Sequence, residues 1–121
     1  IAAFQKPQSY KDRFLIRQAD RLLSIEDQQV AYFRAEEKVV FLHTLDGKKH
    51  IVDHTLDELE KLVNPKHFFR LNRQFLATLP SIKGIFNYQS GKLLVEFAKG
   101  LEFPEVFVSR EKSSKFREWL G

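Results

Sequence analysis

The sequence predicts a mainly β domain of about ten short antiparallel strands with one or two short helices. Three observations carry this. Apolar residues come in short runs or alternate with polar ones, and helical spacing appears in only two places. The runs are separated by brief turns, such as Ala19-Asp20, Asp46-Gly47, Ser90-Gly91 and Lys99-Gly100. Helical segments do not alternate with strands, which argues against a parallel βαβ architecture. Twelve Phe in 121 residues, with many Val, Leu and Ile, suit a β interior packed with aromatic rings.

Residues 1–12 are polar, contain Pro7 and show no periodicity, so they read as a linker or leader to a domain spanning 13–121. Strands follow at Phe14–Arg17, Arg21–Ile25, Val30–Arg34, Val39–Thr44 and Lys48–Val52. Glu26–Gln29 is a polar corner and Ala35–Lys38 a short charged loop. Asp46-Gly47 signals a two-residue hairpin, because Gly takes positive φ without penalty. Thr55-Leu56-Asp57-Glu58 fits a capping box, and Leu56, Leu59, Leu62 and Val63 form an apolar helical stripe that Asn64-Pro65 terminates. The acidic Asp57, Glu58 and Glu60 fall on the exposed side, so this helix is a brace and does not enter a DNA groove. Further strands are expected at Ile82–Tyr88, Lys92–Ala98 and Leu101–Val108, with Pro104 marking an edge or bulge. Ser109 is placed to cap a last helix, Arg110–Leu120, burying Phe116, Trp119 and Leu120.

The net charge is +4 and the pI about 9.4, which permits nucleic-acid or acidic-membrane partners. The absence of Cys excludes disulfides, thiol catalysis and Cys-ligated zinc, and fits a reducing cytoplasm. No apolar run reaches the length of a membrane span, and the first residues do not form a secretory signal. The chain has no Met, even at position 1, so it is expected to be a fragment of a longer protein.

The stretch from His67 to Thr78 carries the functional reading. It reads as a short strand, a turn around Asn72–Gln74 and a second strand, with Arg70, Asn72 and Arg73 at the edge of an aromatic core. No acidic residue lies between Asn64 and Lys83. A positive, hydrogen-bonding corner on a β scaffold suits a phosphate backbone or a base edge. The alternative is that both arginines pair with carboxylates elsewhere in the chain.

Phe68-Phe69-Arg70-x-x-Arg73-x-Phe75-Leu76 resembles the central signature of the LytTR family, the LytR/AlgR-type DNA-binding domains of bacterial response regulators. That signature usually reads Phe-Phe/His-Arg-x-His-Arg-Ser-aromatic-aliphatic-Val-Asn. Here Asn72 replaces the His, Gln74 the Ser and Thr78 the final Asn, departures that bear on sequence preference more than on membership. The Ile25-Glu26-Asp27 to Tyr32-Phe33 run, the capped helix and Val106-Phe107-Val108-Ser109-Arg110 extend the resemblance from Phe14 to Leu120.

The resemblance implies an elongated antiparallel β fold of small stacked sheets that reads DNA with loops at strand ends. It puts base readout on Lys38, Arg73 and Arg110, and phosphate contact or support on Asn72, Gln74, Ser109, Lys112 and Ser113. It also implies an N-terminal receiver domain outside this chain, dimerisation of the full protein on repeated half-sites of double-stranded DNA, and no cofactor. The competing reading is a β-rich protein-interaction or regulatory module that does not bind DNA. An enzyme is not expected. His43, His50, His54 and His67 show no paired metal spacing, and no phosphate loop, nucleophile elbow or His-Glu-x-x-His is present.

Overall fold

The computed structural model describes residues 9–121. Most of the linker or leader expected over residues 1–12 lies outside them. Of the remainder, the Lys11 amide donates to the Leu62 carbonyl at 2.8 Å, and the Asp12 carbonyl accepts from the Asp27 amide at 2.9 Å.

Ten strands form three antiparallel sheets, with two short helices. The first sheet is a hairpin of β1 (Arg13–Gln18) and β2 (Arg21–Glu26). Phe14 and Ile16 point inward while Leu15 and Arg17 face solvent, the alternation a half-buried strand requires. Next come β3 (Val30–Glu36), β4 (Val39–Thr44), β5 (Lys49–Val52), α1 (Leu56–Leu62), β6 (Phe68–Arg70) and β7 (Phe75–Thr78). Their strands pair in the order β5-β4-β3-β7-β6. β8 (Ile82–Asn87), β9 (Leu93–Phe97) and β10 (Glu105–Val108) make the third sheet, and α2 (Ser113–Leu120) closes the chain.

β3 organises the interior. Every residue from Val30 to Arg34 is buried, so its pattern is a continuous apolar run and not an alternation. On one side Val30 and Phe33 pack with Phe14, Ile16, Leu56, Leu59 and Phe68, which come from the first hairpin, α1 and β6. On the other, Ala31 and Tyr32 pack with Phe75, Val95, Phe97, Val108 and Phe116, which come from β7, the third sheet and α2. The five-stranded sheet is thus covered on both faces, and its strand ends are left to form a surface of their own.

Several local expectations change. The charged loop expected at Ala35–Lys38 shrinks to the two-residue turn Glu37-Lys38, because β3 continues to Glu36, paired with Val39. Glu37 takes the left-handed φ of 56°, a conformation that costs a non-glycine residue about 1 kcal/mol or more. At Asp46-Gly47 the hairpin forms, but with a longer turn. The Gly47 amide bonds the Thr44 carbonyl at 3.0 Å, Gly47 sits at φ 88°, and β5 begins at Lys49. α1 has the expected reciprocal cap: the Glu58 amide donates to Thr55 Oγ1 at 3.1 Å and the Thr55 amide to Glu58 Oε1 at 2.8 Å. That amide holds the Glu58 carboxyl below its usual pKa. Leu62, however, is exposed, and only Leu56, Leu59 and Val63 reach the core.

A buried polar group lies beside Tyr32. Arg34 Nε donates to His43 Nε2 at 3.3 Å, and its guanidinium sits between the rings of Phe41 and Phe103, 4.9 and 4.6 Å from their centroids. Burial and the Arg34 charge lower the His43 pKa from 6.5 to about 4. Between those values the unfolded chain takes up a proton that the folded chain refuses. The stability is therefore intact above about pH 6.5 and is lost as pH falls toward 4. The expected loss from this residue is about 3 kcal/mol. Urea unfolding at pH 7 and pH 4 measures it, and His43→Gln should show the smaller drop.

Candidate nucleic-acid interface

Four chain segments meet at one end of the described structure, and the β6–β7 turn is at their centre. Leu71 is fully buried, and its amide bonds the Phe75 carbonyl at 2.9 Å, closing the turn. Asn72 shapes it from within: Oδ1 accepts from the Gln74 and Phe75 amides at 2.8 and 3.1 Å. Its Nδ2 donates to the Phe107 carbonyl at 2.7 Å. The Ser109 amide donates to the Leu71 carbonyl at 3.0 Å, and the Ala35 amide to the Gln74 carbonyl at 2.9 Å. The turn is thereby tied to the end of β10 on one side and to the β3–β4 hairpin on the other.

This register gathers cations, of which Lys38, Arg73 and Arg110 are exposed and Lys112 is half-buried. Lys38, in the Glu37-Lys38 turn, lines a groove with Arg73. Arg73 also lines a second cleft, formed with Asn72, Gln74, Ser109, Glu111 and Lys112. Arg110 is exposed but turned toward the β8–β9 connection, where its Nε donates to the Ser90 carbonyl at 2.9 Å. Among the described residues, Lys38, Arg73, Arg110 and Lys112 form no ion pair. Two other arginines differ from them. Arg34 is buried against His43 with Glu36 at 3.3 Å, and Arg70 is neutralised by Asp57 at 2.9 Å and Glu60 at 3.0 Å. The sequence left open whether Arg70 and Arg73 pair with distant carboxylates. Arg70 does; Arg73 does not.

Ser109 departs from the helix-capping role expected of it. The final helix divides into a one-turn 3-10 segment at Arg110–Lys112 and then α2, and the Ser109 side chain makes no capping bond. Its Oγ is buried without a hydrogen-bond partner among the described residues. Its carbonyl instead accepts from the Lys112 amide at 2.9 Å and from Ser113 Oγ at 3.3 Å. Ser113 is therefore inside the junction, only 7% exposed. Gln74 is exposed beside Arg73, and its side chain makes no hydrogen bond among the described residues.

Sequence reading placed Ser90 in a hairpin turn and Lys92 at the start of a strand but gave neither a role at the site. They belong to the β8–β9 turn, and only the antiparallel pairing of β9 with both β8 and β10 brings it beside Arg110. Lys92 Nζ lies 5.7 Å from the centroid of the Phe107 ring, against which Tyr88 packs edge-on at 5.0 Å. Among the described residues no group of three His, Cys, Asp or Glu is placed to hold a metal ion, and no helix is long and apolar enough to cross a membrane.

Such an arrangement, a β scaffold with cations on its strand-end turns that form no ion pair among the described residues, can contact a nucleic-acid backbone or base edge. Residues 20–121 match the family model of the LytTr DNA-binding domain, and the chain belongs to the LytTR family. The chain is similar to the transcriptional regulatory protein YpdB of Escherichia coli K12, 29% identical over 101 residues, which cover 84% of this chain and 40% of that protein. YpdB of Shigella flexneri matches with the same identity and coverage. The chain thus spans about 40% of the length of these curated relatives. In fold it is similar to the LytTr DNA-binding domain of a response regulator from Bacillus cereus, with a TM-score of 0.79 and 24% identity, covering 92% of this chain and 98% of that one. Both the family and the mainly antiparallel fold of small sheets agree with the sequence reading.

Proposed function

We propose that this DNA-binding domain recognises a specific double-stranded sequence through the turns at the ends of its strands, which enter the major groove. One observation carries the reading: Arg73, exposed and without an ion pair among the described residues, lines both of two adjoining clefts, one with Lys38 and one with Ser109 and Lys112. A guanidinium there can reach a guanine edge with two parallel hydrogen bonds. Arg110 reads a second position from the β10 end. Lys38 reads a third, or is oriented by Glu37. Gln74 and Lys112 contact phosphates, while Asn72, Ser109 and Ser113 support the turn and the junction.

In the longer protein the domain serves as the output of a bacterial response regulator acting in the cytoplasm. Phosphorylation of an N-terminal receiver pairs two copies on repeated half-sites, and linking two weak sites raises occupancy through effective concentration. The isolated domain then binds a single half-site weakly.

The test is selection from a randomised duplex pool, followed by fluorescence anisotropy across a range of salt. The selected duplex should remain bound at a salt concentration that removes random-sequence DNA, and affinity for both should fall with salt because phosphates are neutralised. Arg110→Ala should relax the preference at one base pair, with about 1–3 kcal/mol of discrimination lost there. Failure of folded protein to enrich any motif would favour the protein-interaction module.

A further inference from the structure

Arg70 is the most heavily committed side chain at this end of the molecule. Its Nε donates to the Asn72 carbonyl at 2.7 Å and its Nη2 to the Arg73 carbonyl at 2.9 Å. Its Nη1 donates to Asp57 at 2.9 Å and to Glu60 at 3.0 Å. The Arg70 side chain is 12% exposed, whereas that of Asp57 is 85% exposed. The arginine is therefore largely withdrawn from solvent, and helix α1 neutralises it there.

The two carbonyls it holds belong to the peptide planes on either side of the Arg73 Cα. Together those planes define φ and ψ of Arg73, and hence the direction of its Cα–Cβ bond. One planar fork grips both while its other nitrogen holds the α1 carboxylates, a fixed geometry that an ammonium on a flexible stem does not supply. The far side of the fork is fixed to the first turns of α1, whose start is set by the Thr55–Glu58 capping box. Asn72 closes the turn internally, and Arg70 connects it to α1.

We infer that Arg70 is a positioning residue for DNA readout: clamped between Asp57 and Glu60 of α1 and the carbonyls of Asn72 and Arg73, it aims the Arg73 side chain at its base. The acidic face of α1 is then part of the recognition apparatus although it does not touch DNA. This rests on the reading above that Arg73 contacts a base edge.

The decisive variant is Asp57→Asn with Glu60→Gln. It removes two negative charges, so any purely electrostatic effect strengthens binding to every duplex. The inference predicts the opposite for specific DNA: affinity for the selected duplex falls about tenfold, while affinity for a random-sequence duplex is unchanged or rises. The backbone order parameter of the Arg73 amide, measured by NMR on the free 121-residue chain, should drop from the rigid toward the flexible range. Arg70→Lys should lose specificity to the same extent, with the salt slope unchanged.

Parallel strengthening on both duplexes, with the Arg73 amide still rigid, would mean that the α1 carboxylates merely repel DNA, and would overturn the inference. A salt slope reduced by about one in Arg70→Gln, which removes the charge, would also overturn it, because Arg70 would then be a phosphate contact. If no duplex can be selected at all, it is the base-reading role of Arg73 that fails. The order parameter then decides separately whether the clamp orders the turn.

Discussion

Arg73→Ala should sharply weaken the domain's sequence preference while leaving it folded. The residue is exposed, its side chain makes no ion pair among the described residues, and its backbone carbonyl remains available to Arg70 after truncation. The folded state therefore loses little. The complex loses a guanidinium at the junction of two clefts, with an expected cost of about 1–3 kcal/mol on the selected duplex. Random-sequence DNA offers that guanidinium only phosphates, so its affinity should fall far less. Anisotropy on the two duplexes at one fixed salt concentration separates these outcomes. Equal losses on both would reduce Arg73 to a non-specific charge.

Tyr32→Ala should have the largest effect on stability. Tyr32 is fully buried, with its ring 4.7 Å from Phe97, 4.6 Å from His43 and 5.2 Å from Phe75. Its hydroxyl accepts the Phe103 amide at 3.3 Å. Removing the ring leaves a cavity where the five-stranded sheet meets the third sheet, and truncation of a large buried aromatic typically costs about 3–5 kcal/mol. Tyr32→Phe keeps the packing and removes only the hydroxyl, at about 1 kcal/mol. Urea denaturation of the three chains measures both values. Because β10 and the β6–β7 turn are joined across this same contact layer, the alanine variant should also lose specific DNA binding.

The strands were legible because most of them obey one rule. In β9, Leu93, Val95 and Phe97 are buried while Leu94 and Glu96 are only partly so, as period-two patterning requires. β3 and β7 are exceptions, and their unbroken buried runs mark them as strands covered on both faces. The Glu37-Lys38 turn was harder to see because it contains no Gly, Asn or Asp; it depends on Glu37 accepting a left-handed backbone. Asn72 and Arg73 stood out from their types and from the turn they occupy. The task of Arg70 did not, since its carboxylates are 10 and 13 residues away on a helix that sequence alone makes a passive brace. Ser109 looked like a cap by position, yet the chain enters a 3-10 turn there and leaves its hydroxyl unused. Local patterns thus reported the elements, while pairings across the fold decided which charges were left free.

The most direct test of recognition by strand-end turns is an NMR titration of the isotopically labelled chain with its selected duplex. The account predicts that the largest amide shifts fall in three segments, residues 37–38, 72–74 and 109–112, with smaller ones in the β8–β9 turn. The first hairpin and the β4–β5 turn should stay unperturbed. Shifts concentrated on β1 and β2, or along the exposed face of α1, would contradict it and place the DNA on another surface.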